Sequence, residues 1–323
     1  MKMNKSKITN KDKDKAKKKA VVIIGPTSSG KTALAVKLAL EFNTQIISAD
    51  SRQVYKGMDI GTGKDLSEYS IKTKTGIKKI PYHLIDVCSP KESFNLSKYL
   101  KLANEVLDKI SAQGDLPLIV GGTGLYAQAL VDNYQISKVK ENKELRAKLE
   151  DIELKGVQEL FKKEYSDFYN KLNNSDKNNK RRLIRYLEIL KDKGVLDKKR
   201  SHPKFEFLVL KIEVERNVLK QRIKNRLIQR IENEEMIEEV SRLHKEGLTW
   251  KKLESFGLEY KFVSKYLQNK LDYDEMLEDL YTASSRFAKR QSAWFRRWQR
   301  QGREIHEIKD YKEAKEKITN FIK

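Results

Sequence analysis

The sequence predicts an α/β fold: a parallel sheet with helices on both faces, carrying an inserted all-helical domain. Three observations predict it. Short apolar runs alternate with helical periodicity over the first 131 residues, the pattern of a helix-covered parallel sheet. The first run passes through a Gly/Ser/Thr loop straight into a helical pattern. From about Asp132 to Gly194 the chain becomes highly charged, contains no proline and keeps only helical periodicity. At 323 residues the chain is long for one compact domain and natural for two.

In chain order, residues 1–19 form a Lys-rich, low-complexity arm, expected to be disordered because it has too few apolar groups to offset the entropy of ordering. Ordered structure is expected from Ala20. Val21–Ile24 reads as a buried strand and Thr32–Phe42 as a helix. Gln45–Ser48, His83–Val87 and Leu116–Val120 read as further strands. Within the insertion, Leu183, Leu187 and Leu190 recur at i, i+4 and i+7, which leaves Arg181, Arg182 and Arg185 on other faces. Phe205–Val214 alternates like a strand and returns the chain to the sheet. Helices are expected from about Arg216 and over Tyr273–Arg300, and Ile305–Ile308 reads as a last short strand. The predicted domains are an arm over 1–19, a core over 20–131 and 204–323, and a helical insertion over 132–203.

The net charge is +22, and its placement is uneven. Residues 1–20, 171–203 and 286–303 each carry +7, so the rest of the chain is nearly neutral. Clustered cations point to a polyanion held through its phosphates; a solvated basic face is the alternative. The only cysteine, Cys88, excludes a disulfide framework within the chain and a Cys-based zinc site. The histidines show no metal-ligand spacing. No apolar run approaches a bilayer span, and no apolar segment follows the Lys-rich start before Ala20. A cytoplasmic, monomeric protein without a membrane partner is expected.

The chemistry begins at Gly25-Pro26-Thr27-Ser28-Ser29-Gly30-Lys31-Thr32, which fits G-x-x-x-x-G-K-[ST] between a strand and a helix. Such a loop turns successive backbone N–H groups inward around phosphate oxygens, and the helix N-terminus adds its positive end. Lys31 supplies a point charge, and the Thr32 hydroxyl is placed to meet Mg²⁺. The fold is therefore P-loop NTPase-like, with a di- or triphosphate as ligand. A nucleotide-using member also needs a strand ending in Asp. Leu116–Val120 runs into Gly121-Gly122-Thr123 instead, leaving Asp86 as the candidate. Asp50 follows the second strand, whose carboxyl end lies near the phosphate loop in a parallel sheet. A carboxylate there can take a proton from a nucleophile; it can equally cap a turn.

GPTSSGKT (25–32), SADSRQVYKGMDIGTGK (48–64), PYHLID (81–86), PLIVGGTGLY (117–126), RRLIRYLEI (181–189) and FAKRQSAWFRRW (287–298) stand in this order. Together they resemble the bacterial tRNA dimethylallyltransferases, also called tRNA isopentenyltransferases, over about residues 20–308. The resemblance implies that the loop Gly25–Thr32 holds dimethylallyl diphosphate rather than a nucleotide, with Thr32 placing Mg²⁺ and Arg226 also binding diphosphate. It implies that N6 of the adenosine just 3′ of the anticodon attacks the allylic carbon while Asp50 acts on its proton. It implies contacts to the tRNA anticodon stem-loop from Asp50, Ser51, Arg52, Gln53 and Thr123. Further contacts are implied from Arg181, Arg182 and Arg185 and from the segment holding Lys289, Arg290, Gln291 and Trp294. Trp294, Phe295 and Trp298 are able to stack on bases or to pack in the core.

The chain departs from the family pattern at KLESFGLEYK (252–261), at Ser284-Ser285 and in the spacing after Arg226. Three other functions remain open: prenyl transfer to free adenine nucleotides, a P-loop kinase or NTPase, and a non-catalytic RNA-binding protein. The first has little use for basic clusters, and the last leaves Lys31, Thr32 and Asp50 unexplained.

Overall fold

The computed structural model describes residues 17–74, 76–137, 139–192 and 204–323. The chain divides into two compact units. The first comprises the described residues up to Asp132 together with those from 204 onward; the second runs from Asn133 through 192.

In the first unit β1 (Lys18–Ile24) leads through the glycine-containing loop into α1 (Lys31–Glu41), and β2 (Ile46–Ser48) comes next. A 3-10 turn over Leu66–Tyr69 opens a hairpin of β3 (Ser70–Thr73) and β4 (Gly76–Lys79), then comes β5 (Tyr82–His83). α2 (Leu96–Ala112), β6 (Leu118–Gly121) and α3 (Gly124–Val131) complete this half. The second unit holds α4 (Lys143–Glu150), α5 (Leu154–Lys171), α6 (Asn174–Lys177) and α7 (Lys180–Lys191). The chain returns as β7 (Phe205–Ile212), then α8 (Arg216–Glu232), α9 (Met236–Lys245), α10 (Trp250–Ser255) and α11 (Leu258–Leu267). It ends with α12 (Tyr273–Arg300), β8 (His306–Ile308) and α13 (Tyr311–Ile322).

The main sheet has six strands in the order β5-β2-β6-β1-β7-β8, every pair parallel. β1 is central, with Val21 opposite both Leu118 and Leu208. Ala20 through Ile24 are fully buried, which is why the strand reads as an unbroken apolar run rather than an alternating one. Val21 and Ile23 share a core with Ala35 and Leu38 of α1 and Ile318 of α13. Val22 and Ile24 point to the opposite face by strand alternation, where α3 packs on β1. A second core joins α8 to α12 with Val54 and Met58. The second unit has its own core around Val157, Phe161, Leu183 and Leu187. No helix among the described residues is long and apolar enough to cross a membrane.

Several expected boundaries are corrected. The sheet starts at Lys18, not Ala20, because Lys18 and Lys19 pair with Phe205 and Glu206. The rest of the expected arm, 1–16, lies outside the described residues. His83–Val87 is not a strand. Only Tyr82 and His83 pair with β2, after which Leu84 and Asp86 turn away at φ 65° and 56°. The strands expected over Gln45–Ser48, Leu116–Val120, Phe205–Val214 and Ile305–Ile308 begin or end one or two residues away, as β2, β6, β7 and β8. The hairpin of β3 and β4 was not anticipated: every described residue of β4 is exposed, so no apolar alternation marks it.

Candidate active site

β1 is a buried, rigid strand, and the phosphate loop begins directly after Ile24, its last apolar residue. Ser28 at φ 59° and Gly30 at φ 86° turn the chain so that α1 starts at Lys31. Gly30 caps α1 without a side-chain hydrogen bond, so the first-turn N–H groups face the loop's interior without a side-chain acceptor. Lys31 Nζ donates to the Pro26 carbonyl at 2.6 Å. Burial pushes the Lys31 ammonium down to about 8, with Asp50 opposing the effect and Arg226 adding to it. Lys31 and Thr32 line one cavity together with Asp50, Gln53, Arg226 and Gln291. The motif residues Thr27 and Ser28 line it too; Gly25, Pro26, Ser29 and Gly30 complete the loop behind them.

The segment after β2 forms the facing wall. Asp50 Oδ1 accepts from the backbone N–H of Arg52 at 2.9 Å and of Gln53 at 3.4 Å. Asp50 is thus both a turn cap and a cavity residue: one oxygen shapes the loop, and no hydrogen bond engages Oδ2 among the described residues. Thr123 fixes this loop from the start of α3, because its Oγ1 accepts from Ser51 N at 3.0 Å and donates to Ser51 Oγ at 3.3 Å. Gln53 receives Ser48 Oγ at 3.0 Å and donates to the Gly63 carbonyl at 2.9 Å. A Cβ at Gly121 would lie 2.2 Å from the Ala49 carbonyl oxygen, so only glycine lets β6 run this close to the Asp50 loop.

α12 closes the cavity. Gln291 Nε2 donates to the Gly122 carbonyl, and its Oε1 accepts from Thr27 N, both at 2.8 Å. Gln291 is buried at the cavity wall, and its amide joins the phosphate loop to the Gly122 turn. Arg52 Nη1 donates to Glu259 at 3.1 Å, and its guanidinium lies over Phe287 at 5.4 Å. Arg226 pairs with Asp65, and Arg230 donates to Glu259 at 3.3 Å. Burial first, and the neighbouring Arg226 second, hold the Arg230 guanidinium below its usual range.

Other expected site residues lie elsewhere. Lys289 and Arg290 are exposed on α12 outside the cavity. Trp294 is half-buried, donating to Gln128 at 2.9 Å beneath Arg297. Phe295 and Trp298 are core residues, about 1% exposed, and are unavailable for stacking on bases. Arg181, Arg182 and Arg185 stand on α7 of the second unit. There Arg182 pairs with Asp176 at 2.6 Å, and Arg185 reaches Glu188 and the Val139 carbonyl. Arg181 is exposed, and no acid pairs with it among the described residues. Asp86, the candidate strand-end carboxylate, binds the fully buried Lys64 ammonium at 2.5 Å and does not line the cavity.

Two supporting residues escaped the sequence reading. Lys64 also reaches the Tyr55 carbonyl and Asp59, pinning the loop between them. Glu239 accepts from the N–H groups of Asp59, Ile60 and Gly61 at 2.8, 2.9 and 3.1 Å, and from the Tyr260 hydroxyl at 2.7 Å. The signal was present: Met236, Glu239, Val240 and Leu243 form one i, i+3, i+4, i+7 stripe, and an acid inside such a stripe marks a buried acceptor.

Comparison with known proteins finds relatives along nearly the whole chain. The IPP transferase family profile matches residues 53–298, and that of the isopentenyl transferases matches residues 18–76. The chain is 43% identical over 310 residues to tRNA dimethylallyltransferase 1 of Syntrophus aciditrophicus, covering 95% of this chain and 99% of that one. It is 41% identical over 298 residues to tRNA dimethylallyltransferase 2 of Treponema denticola, covering 90% and 95% respectively. Its fold matches the crystal structure of the full-length tRNA isopentenylpyrophosphate transferase from Bacillus halodurans with a TM-score of 0.66 at 32% identity, covering 95% of this chain and 96% of that one. A cavity built from a phosphate loop and the Asp50 turn, in a chain so related along nearly its whole length, belongs to a member of the IPP transferase family.

Proposed function

We propose that this protein is a prenyltransferase that moves the dimethylallyl group of dimethylallyl diphosphate onto N6 of the adenosine just 3′ of the anticodon in tRNA. One observation carries the reading: Lys31 and Thr32 of the phosphate loop share a cavity with Asp50, whose second carboxylate oxygen is unengaged among the described residues. The loop's N–H groups, Lys31 and Arg226 hold the diphosphate and stabilise its charge as the C–O bond breaks. The amine forms its bond to the same carbon, and Asp50 accepts the amine proton. The Thr32 hydroxyl is a hard oxygen donor suited to Mg²⁺. Among the described residues no group of three His, Cys, Asp or Glu side chains can hold a metal. Mg²⁺ would therefore bind with the substrate's phosphates, where it supplies charge neutralisation to the leaving diphosphate.

The proposed tRNA contacts are Arg52 and Gln53 at the cavity wall, Ser51 and Thr123 in the loop they share beside it, exposed Lys289 and Arg290 on α12, and, in the second unit, the basic face of α7. A nucleotide-hydrolysing reading is disfavoured by Asp86, whose carboxylate is committed to Lys64. The test is incubation with radiolabelled dimethylallyl diphosphate and Mg²⁺, with tRNA, AMP or no acceptor, beside an ATP hydrolysis assay. Label appearing only in tRNA is the expected result. Label in AMP, or ATP hydrolysis without prenyl transfer, would overturn it.

A further inference from the structure

Arg226 and Arg230 stand one turn apart on α8, and both line the phosphate cavity. Arg230 is 4% exposed. Its Nη1 donates to Glu259, but Nε and Nη2 are buried with no hydrogen-bond partner among the described residues. Asp65 Oδ1 lies 3.9 Å from Nη2, too far for a hydrogen bond. Glu259 is shared with Arg52, and Asp65 is engaged by Arg226. This wall therefore sets three guanidinium groups against two carboxylates, and in the same cavity Lys31 stands against Asp50. Buried guanidinium donors without acceptors are unfavourable, and here they point to an anion richer in oxygens than a carboxylate.

We propose that Arg230 is a second diphosphate-binding arginine, and that Asp65 is a built-in competitor that holds Arg226 until diphosphate displaces it. This rests on the assignment of the cavity to a prenyl diphosphate. A diphosphate held by Lys31 and Arg226 carries enough oxygens to meet the idle Nε and Nη2 of Arg230 in the forked geometry arginine favours. Asp65 has the same sign as that ligand and occupies the guanidinium the ligand needs. It therefore lowers affinity for the substrate and for the diphosphate released when the C–O bond breaks, so that the product does not clog the site. When the cavity is empty, Asp65 keeps the cationic wall compensated.

A purely structural role for these ion pairs predicts the opposite sign in one variant. Calorimetric titration of the full chain with inorganic diphosphate and Mg²⁺, beside melting curves, reads it directly. Asp65→Asn should lower the Kd for diphosphate by about fivefold, the removal of one partly buried ion-pair competitor. Arg230→Met should raise that Kd by about tenfold and raise the KM for dimethylallyl diphosphate, leaving the KM for tRNA unchanged. If Arg230→Met fails to fold because Glu259 loses a partner, the double variant Arg230→Met/Glu259→Gln restores the charge balance and carries the same expectation. An unchanged or raised Kd in folded Asp65→Asn overturns the competitor role. An unchanged Kd in a folded Arg230 variant overturns the binding role. Wild-type protein that binds no diphosphate and prenylates no tRNA overturns the functional assignment along with both; normal wild-type binding with unmoved variants overturns this inference alone.

Discussion

Lys31 is held between opposing influences: burial and Arg226 disfavour its charge, while Asp50 and the Pro26 carbonyl favour it. An unfolded lysine keeps its proton to about 10.5, whereas native Lys31 loses it at about 8. Stability therefore rises with pH between those values, and the charged form is a cost below them. A diphosphate reverses the balance, because its charge favours the ammonium. Binding at pH 8.5 should then take up a proton, visible in calorimetry as a heat that depends on the buffer's ionisation enthalpy. Equal heats in two buffers would remove Lys31 as the titrating group. Lys31→Met should melt at the same or a higher temperature at pH 7 yet bind diphosphate weakly, with tRNA affinity in a gel shift near wild type. Asp50 separates the same way. If its carboxylate takes the N6 proton, Asp50→Asn slows single-turnover transfer by roughly 10²–10⁴-fold while the Asn side chain still caps the turn. A variant that melts early but transfers at the wild-type rate when folded would reduce Asp50 to a cap. Both roles were open in the sequence; neither backbone acceptance nor cavity lining excludes the other.

At the scale of elements, the site depends on α9 and α12, whose Glu239 and Gln291 hold its loops in place. Glu239 satisfies the backbone of the 59–61 turn from inside the α8–α12 core. Glu239→Ala leaves three N–H groups and the Tyr260 hydroxyl short of an acceptor, and should cost about 3–5 kcal/mol in urea unfolding. A loss below about 1 kcal/mol would mean water replaces the carboxylate. α12 was legible as a long helix from its periodicity, and its basic outer face from its charge. Its inner face is not legible from charge. Gln291 stands among Lys289, Arg290 and Trp294 in sequence, yet the helical repeat turns it inward while Lys289 and Arg290 turn out. The strand expected over His83–Val87 stops at His83 because Leu84 and Asp86 take positive φ, which the apolar pattern does not encode; Asp86 there pairs with Lys64.

Over the whole molecule, the +22 charge acts through those cations that have no internal partner. Arg290 is exposed and lies over Phe287 rather than on an acid. Arg290→Ala should weaken tRNA binding and flatten the log–log salt slope by about 0.9, one phosphate contact. Arg181→Ala should do the same, whereas Arg182→Ala should act more on the stability of the second unit, because Arg182 is paired with Asp176. Unchanged slopes for both Arg290 and Arg181 would reduce these clusters to solvated faces. The sequence alone determined the α/β class, the phosphate loop with Lys31 and Thr32, and Asp50 at a strand end, since each is encoded within a few consecutive residues by apolar runs, glycines and helix starts. Only the tertiary structure decided which charges are spent and which are available. Lys64, Glu239, Arg230 and Gln291 find partners at separations of up to 264 positions of chain, through contacts that no local pattern encodes because they exist only once the helices have packed.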